Sequence, residues 1–213
     1  MVLRDIPMFT TELGVASLVL SQIPYTKKAY IRIQDASDSN EFLQECISFC
    51  VAAGAEHIFA AGHPACEEYP EHTVILEMRA DISSIGDTDA ALFPVTEGTL
   101  NQWVEIYNQK IIKIPNGAWM NRNDANKMLH EGNGYFIHRD GDLLGIGKAS
   151  GSEISWVAAV KPGAGADIVR ALCHALSEDT VTLTVSSQNQ KALSLYNKLG
   201  FLCSGIISTW YVV

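Results

Sequence analysis

Two glycines in the second half of the chain stand where a backbone could bind an anion. Gly163 and Gly165 follow the strand-like run Glu153 to Val160 and precede a helical pattern. A turn of this kind exposes backbone N–H groups that have no intrahelical acceptor, and the helix dipole adds partial positive charge. The turn is therefore a candidate phosphate site. A tight turn without a ligand is the alternative, because Gly-x-Gly after a strand is common in such turns.

A second segment whose residues could take part in chemistry is the amphipathic helical pattern that ends at Phe201. Ser187 and Gln190 have the spacing of a capping box, and Gly200 stands where a helix commonly stops. Tyr196 lies on the apolar face between these two ends. On local grounds alone, Tyr196 is a core residue whose hydroxyl reaches the rim of that face.

The elements that position these two segments follow from hydrophobic periodicity and turn residues. Strands are predicted at Val15 to Leu20, Ala29 to Ile33, His57 to Ala61, Thr73 to Met78, Ala91 to Val95, Tyr135 to Arg139, Leu143 to Gly147, Glu153 to Val160, Val181 to Val185 and Ile206 to Val213. Helices are predicted from Ser39 or Asn40 to Gly54 and at Thr96 to Lys110, Asn123 to His130, Ala166 to Leu176 and Gln188 to Leu199. The pair Asp140-Gly141 predicts a hairpin turn.

The polar, turn-rich stretch 80–88 is the predicted domain boundary. It separates an N-terminal lobe, residues 1–88, from a second domain, residues 89–213. A strand, a helix and a strand run from Ala29 to Ala61 and again from Ile154 to Val185. This repeated pattern of elements leaves two interpretations open: a duplicated half-domain, or two ordinary βα units.

Composition narrows the class of partner. The 213 residues include 15 Lys and Arg against 24 Asp and Glu, a formal net charge of −9. Nucleic acids and anionic membranes need clustered cations, so we expect neither as a partner, whereas a cationic amine is compatible with this charge. The five cysteines are scattered and predict buried thiols in a reducing cytoplasm. No metal site and no membrane-spanning segment are expected.

Two motifs together carry a resemblance to a known family. The run Asn189-x-x-Ala192-x-x-Leu195-Tyr196-x-Lys198-x-Gly200-Phe201, preceded by the strand Val181 to Val185, resembles the C-terminal motif of the GCN5-related N-acetyltransferase (GNAT) superfamily. The run Ile154 to Pro162 resembles the family's fourth strand and the start of its pyrophosphate loop. In order and spacing the resemblance covers roughly residues 91–213.

The resemblance implies how acetyl-coenzyme A would be held. In this family the fourth and fifth strands part, and the pantetheine arm pairs with backbone groups that correspond here to Ala158 and Val160. The residue that corresponds to Asn189 commonly hydrogen-bonds the same arm. The pyrophosphate is implied to rest on the N–H groups of Gly163, Ala164, Gly165 and Ala166.

The resemblance also implies catalytic roles. The tyrosine that corresponds to Tyr196 commonly protonates the departing thiolate. An amine of pKa about 10 must lose a proton before it attacks a thioester. Glu153, at the start of the fourth strand, is the leading candidate for that base, and a solvated strand-end carboxylate is the alternative. His138 and Tyr135 are weaker candidates.

The sequence therefore predicts an α/β (α+β) fold with a mixed, mostly antiparallel twisted sheet flanked by helices, and a smaller N-terminal αβ lobe. The expected function is acetyl transfer from acetyl-coenzyme A to a primary amine on a small molecule or a peptide. The second domain, residues 89–213, is expected to carry this activity. A homodimer is compatible with this expectation. The family's loop carries Arg or Gln before its glycines, whereas Pro162 here is followed directly by Gly163. This departure keeps two alternatives open: an inactive acyl-coenzyme A-binding or regulatory module, and a structural lobe.

Overall fold

The structure is a computed structural model that describes residues 3–213. In its first half the elements are β1 (Ile6–Thr10), β2 (Gly14–Val19), α1 (Ile23–Thr26), β3 (Lys28–Ala36), α2 (Ser39–Ala52), β4 (His57–Ala61), a 3₁₀ turn (Pro64–Glu68), β5 (Glu71–Asp81) and α3 (Ile82–Ile85). In its second half they are β6 (Ala91–Pro94), α4 (Leu100–Ile111), α5 (Arg122–Glu131), β7 (Gly134–Arg139), β8 (Asp142–Ser150), β9 (Glu153–Ala159), α6 (Gly165–Cys173), β10 (Thr180–Ser186), α7 (Gln190–Lys198) and β11 (Leu202–Val212).

The chain divides into two compact units whose bounds differ from the predicted boundary at residue 88. Unit 1 contains the described residues up to Ile75 together with Ile206–Val213, and unit 2 contains Leu76–Gly205. The difference arises because β5 and β11 are long strands, and each contributes residues to both units. The C-terminal strand was predicted as an element of the second domain, yet most of it belongs to unit 1.

Unit 1 is a sheet with one long helix on one face. Its strands lie in the order β1-β2-β3-β4-β11. Strands β1, β2 and β3 are antiparallel, and the crossover through α2 makes β4 parallel to β3. Asp38 caps α2 by accepting the Glu41 N–H. Phe42, Leu43 and Cys46 then bury the apolar stripe of α2 in the unit's core.

Unit 2 repeats this order of elements with more helices. Its strands lie in the order β5-β10-β9-β8-β7-β6. Strands β7, β8 and β9 are antiparallel, and the crossover through α6 makes β10 parallel to β9. The predicted hairpin turn is confirmed: Asp140 and Gly141 have φ angles of 52° and 85°, which a type I′ turn requires.

Helix α6 packs closely on the sheet of unit 2 because two glycines leave room for it. A Cβ at Gly145 would collide with the Ala158 carbonyl oxygen and lie 2.5 Å from Ile168 Cδ1, and a Cβ at Gly147 would collide with Leu172. Ile168 and Leu172 are fully buried residues of α6. Small residues on β8 thus fix the height of α6 above the sheet.

Two local predictions are wrong at helix starts. Helix α4 begins at Leu100 rather than Thr96, because Thr96 and Thr99 form a turn in which the Thr96 N–H donates to Thr99 Oγ1. Helix α7 is capped by Asn189 rather than Ser187. Within residues 3–213, no helix is both long enough and apolar enough to cross a bilayer.

Candidate functional site

The parallel strands β9 and β10 meet only where they begin. Among the described residues, one Cα pair, Thr182 with Glu153, joins them. The Thr182 N–H and hydroxyl both bind the Ser152 carbonyl oxygen, at 2.8 and 3.3 Å. Beyond this point β9 pairs with β8 alone on the way to the glycine turn. The two strands therefore part along the stretch that leads from Glu153 to the start of α6.

The equivalent strands of unit 1 are closed. Strands β3 and β4 pair continuously over five residues, from Lys28 with His57 to Arg32 with Ala61. The following helix, α2, has an aspartate cap in place of a glycine turn. The described part of the chain, residues 3–213, thus holds two βαβ crossovers of the same order, and of these two the one in unit 2 leaves backbone groups open between its parallel strands.

The register of β9 determines which of its backbone groups face the open side. The Val160 N–H donates to the Leu144 carbonyl oxygen at 2.9 Å, and Ala158 is the partner of Ile146 in the same ladder. Because successive residues of a strand point their N–H and C=O groups to opposite neighbours, Ala158 and Val160 serve β8. The groups that face β10 belong to Val157 and Ala159, one position away from the pair predicted from the sequence.

The start of α6 presents three open backbone donors. The first intrahelical bond runs from the Ile168 N–H to the Ala164 carbonyl oxygen, so the N–H groups of Gly165, Ala166 and Asp167 have no acceptor in the helix. Ala164 supplies no side-chain cap, and its own N–H donates to the Lys161 carbonyl oxygen at 3.3 Å. Gly163, at φ 83°, and Gly165 thus remain in the predicted phosphate site. The Ala164 N–H does not, because it is already bonded to Lys161.

Charges around this helix start are paired. Asp167, in the first turn of α6, binds Arg139 at 3.1 Å and Arg170 at 3.6 Å. Arg139 also binds Asp89, and this hydrogen bond, with the charge of Asp167, raises the pKa of the guanidinium. Lys161 binds Asp142 at 2.6 Å. A phosphate at this helix start would meet open N–H groups and cations that already have carboxylate partners.

Tyr196 lies inside unit 2. It belongs to the same apolar cluster as Val157 and Ala159, and its ring centroid is 5.6 Å from that of Phe201. Burial raises the pKa of the phenol to about 12, so the hydroxyl stays protonated at neutral pH. Tyr196 thus belongs to the apolar cluster against which the side chains of Val157 and Ala159 pack.

The other two predicted site side chains, those of Asn189 and Glu153, lie outside this apolar cluster. The side-chain oxygen of Asn189 accepts the Ala192 N–H at 3.3 Å as the cap of α7, which leaves its NH₂ group for other partners. Glu153 is exposed at the point where β9 and β10 part, and it forms no ion pair with the residues described here. His138 packs edge-on against Phe93 at 5.3 Å.

Sequence reasoning missed Val157, Ala159 and Asp167. Lys148 of β8 pairs with Trp156 and Ala149 pairs with Ile154, so Ser155 is the extra residue of a bulge in β9. This bulge sets the phase of β9 beyond it, and a bulge leaves no local signature in an apolar run. Asp167 carries an ordinary signal, an acidic residue in a first helical turn, but its partner Arg139 lies 28 positions away. Only the fold brings the two together.

No family model and no curated protein matches the sequence. Solved structures do match its fold. A conserved protein of unknown function from Staphylococcus epidermidis has a TM-score of 0.61 at 12% identity, over 96% of this chain and 91% of that one. A tandem GNAT protein of the clavulanic acid biosynthesis pathway has a TM-score of 0.58 at 10% identity, over 94% and 78%. A GNAT-family acetyltransferase from Colwellia psychrerythraea has a TM-score of 0.54 at 10% identity, over 96% and 84%.

Proposed function

We propose that this chain, which has the fold of the GCN5-related N-acetyltransferases, transfers an acetyl group from acetyl-coenzyme A to a primary amine at a site in unit 2. The observation that carries the proposal is the parting of β9 and β10 ahead of an uncapped helix start. Strands β3 and β4 of the same chain have the same topology and are closed. The open pair is thus a particular feature of unit 2.

The backbone of unit 2 fits an extended polar arm that ends in phosphates. The N–H and C=O groups of Val157 and Ala159 offer one strand edge on the open side. The N–H groups of Gly165 and Ala166 offer anion donors at its end. Bound acetyl-coenzyme A would supply the thioester that the amine attacks. Holding amine and thioester together in this slot is the main expected contribution to rate.

Tyr196 is the proposed acid. Its hydroxyl keeps its proton at neutral pH, and its side chain belongs to the apolar cluster against which Val157 and Ala159 of β9 pack. It can therefore donate a hydrogen bond to the sulfur that leaves, which stabilises the thiolate. Glu153 is the proposed base, because an exposed carboxylate at the fork of β9 and β10 can accept the proton of an incoming ammonium, directly or through water.

A second candidate function is an acyl-coenzyme A-binding module without turnover. The paired charges at α6 favour it, because Arg139, Arg170 and Lys161 all bind carboxylates and the loop has no further Arg or Gln. Weak phosphate binding would follow from this arrangement. Unit 1 we propose to be a half-copy of the fold that holds no coenzyme A, because β3 and β4 are closed and Asp38 caps α2.

Calorimetry with acetyl-coenzyme A and thiol release with a panel of primary amines test these proposals. We expect one molecule bound per chain, and release of free thiol with at least one amine. Tyr196→Phe should lower kcat on the order of a hundredfold and leave the Kd of acetyl-coenzyme A nearly unchanged. Tyr69→Phe, in unit 1, is the matched control and should keep full activity. Binding without thiol release from any amine would favour the second candidate, and two bound molecules would contradict the half-copy proposal.

A further inference from the structure

Unit 1 contains a cavity of its own, away from the parted strands. Its volume is about 290 Å³, and it lies where β4 ends and the C-terminal strand passes beside it. The polar side chains that line it include Arg32, His63, Glu67, Ser208 and Tyr211. The volume is at the lower end of the range for small-molecule sites. A small metabolite would fit, whereas a coenzyme would not.

Arg32 reaches this cavity from the face of the sheet that α2 leaves open. Its neighbours Ile31 and Ile33 are buried in the cluster that contains α2. Because side chains alternate along a strand, Arg32 points to the opposite face. Arg32 is also the last residue of β3 that pairs with β4, through Ala61. The cavity therefore lies at the carboxyl end of a parallel pair, a common position for ligands in open sheets.

Opposite charges line the cavity without neutralising each other. Glu67 is exposed and contributes a carboxylate from the 3₁₀ turn. Within residues 3–213, neither Arg32 nor Glu67 takes part in an ion pair, although the chain forms such pairs elsewhere. The pKa of the Tyr211 phenol is raised, first by burial and next by the negative charge of Glu67. A cation and an anion thus face one cavity, each with its hydrogen-bonding capacity open.

The wall between these charges is preorganised. His63 accepts the Ala65 N–H through Nδ1, at 3.3 Å, so in the neutral ring Nε2 carries the proton and is a donor. Gly62 has a φ of 98°, and a Cβ there would collide with the Ile33 carbonyl oxygen. Only glycine lets the chain turn so close to β3. Ser208 is held by the Trp210 indole N–H, which donates to its hydroxyl at 2.9 Å.

We infer that this cavity binds a small α-amino acid in its zwitterionic form, with the carboxylate on Arg32 and the ammonium on Glu67. A zwitterion satisfies both charges at once and adds no net charge to the cavity. The His63 Nε2–H supplies a further donor to the carboxylate. The site is separate from the proposed acetyl transfer and does not depend on it, because every residue that lines it belongs to unit 1.

Amide chemical-shift titration of the full chain tests this inference, with L-alanine and L-leucine as probes. We expect saturable shifts at Gly62 and His63 for at least one probe. Propionate and propylamine, which each carry one of the two charges, should bind about tenfold more weakly or worse. Equal binding of either analogue would overturn the inference, as would the absence of saturable shifts at high millimolar concentrations of both amino acids.

Variants locate the two charges. Arg32→Gln and Glu67→Gln should each weaken amino-acid binding about tenfold or more, because each removes a charged hydrogen-bond partner. Glu68→Gln is the matched control, since Glu68 is an equally exposed neighbour outside the cavity lining, and it should bind as the parent does. Arg32 and Glu67 are exposed, so dispersed amide spectra should persist in both variants. Unchanged affinity in either variant would contradict the assignment.

Discussion

At the scale of single residues, we expect Asp167 to weaken the binding of a phosphate at the proposed site in unit 2. Its carboxylate lies in the first turn of α6, next to the open N–H groups of Gly165 and Ala166. There it stabilises the helix dipole and binds Arg139 and Arg170. The same charge repels any phosphate at that helix start and keeps two guanidinium groups from it.

Asp167→Asn should therefore tighten the binding of acetyl-coenzyme A, while the free energy of unfolding falls by about 0.3–1 kcal/mol from the lost dipole interaction. Calorimetry and chemical denaturation measure the two effects. Asp124→Asn is the control, because Asp124 is also acidic and lies in the first turn of another helix, α5. Weaker binding in Asp167→Asn would mean that Arg139 must be held by Asp167 in order to act.

At the scale of elements, the fit of α6 on β8 sets the height of the helix start over the parted strands. Gly145→Ala should lower the free energy of unfolding by about 1–3 kcal/mol, because the new methyl group meets the Ala158 carbonyl oxygen and Ile168. Gly205→Ala should change it by less than about 0.5 kcal/mol, since a Cβ there meets no atom within 4 Å. Thermal and urea unfolding distinguish the two variants. Equal stability would show that α6 can move away from the sheet at little cost.

Most elements could be predicted from the sequence because their signals are local. The Asp140-Gly141 turn needs two residues with positive φ, and this dipeptide supplies them. Helix α7 shows where local signals stop: Ser187 and Asn189 are both good capping residues. The turn in which the Asn189 N–H donates to the Ser186 carbonyl oxygen selects Asn189.

Pairings between strands that are far apart in the sequence could not be predicted. The periodicity of β11 indicates a strand, but its partner β4 is about 150 positions earlier in the chain. The open side of β9 depends on the bulge at Ser155, which is defined only by the pairing of β9 with β8. The resemblance implied Ala158 and Val160 for the backbone pair, whereas the register of β9 turns the groups of Val157 and Ala159 toward the open side.

At the scale of the whole molecule, one topology is used in two ways. Unit 1 closes its parallel pair over five residues, whereas unit 2 leaves its pair open after the first. The closed pair completes its part of the sheet, and the open pair leaves backbone groups available for the proposed ligand. The proposed function of unit 2 rests on this contrast within one chain.

The whole molecule should lose stability in alkali. Burial raises the pKa of Tyr30, Tyr107 and Tyr196, three of the seven tyrosines, to about 12 from 10.0. Their contribution to stability is full below pH 10, because both folded and unfolded chains are then protonated. It is lost as the pH rises from 10 to 12, since the unfolded chain releases these protons first. Melting temperatures followed by circular dichroism should fall over this pH interval. The tyrosinate absorbance of these three residues should appear only toward its upper end. Simultaneous titration of all tyrosines in a folded chain would contradict this.

Residue-resolved amide hydrogen exchange, with and without acetyl-coenzyme A, tests whether the parted strands of unit 2 bind the coenzyme. The N–H groups of Val157 and Ala159 face the open side of β9, so they should exchange quickly in the free protein and slowly in the complex. The N–H groups of Ala158 and Val160 serve β8 and should be slow in both. Unchanged exchange at Val157 and Ala159 at saturating ligand would contradict the account.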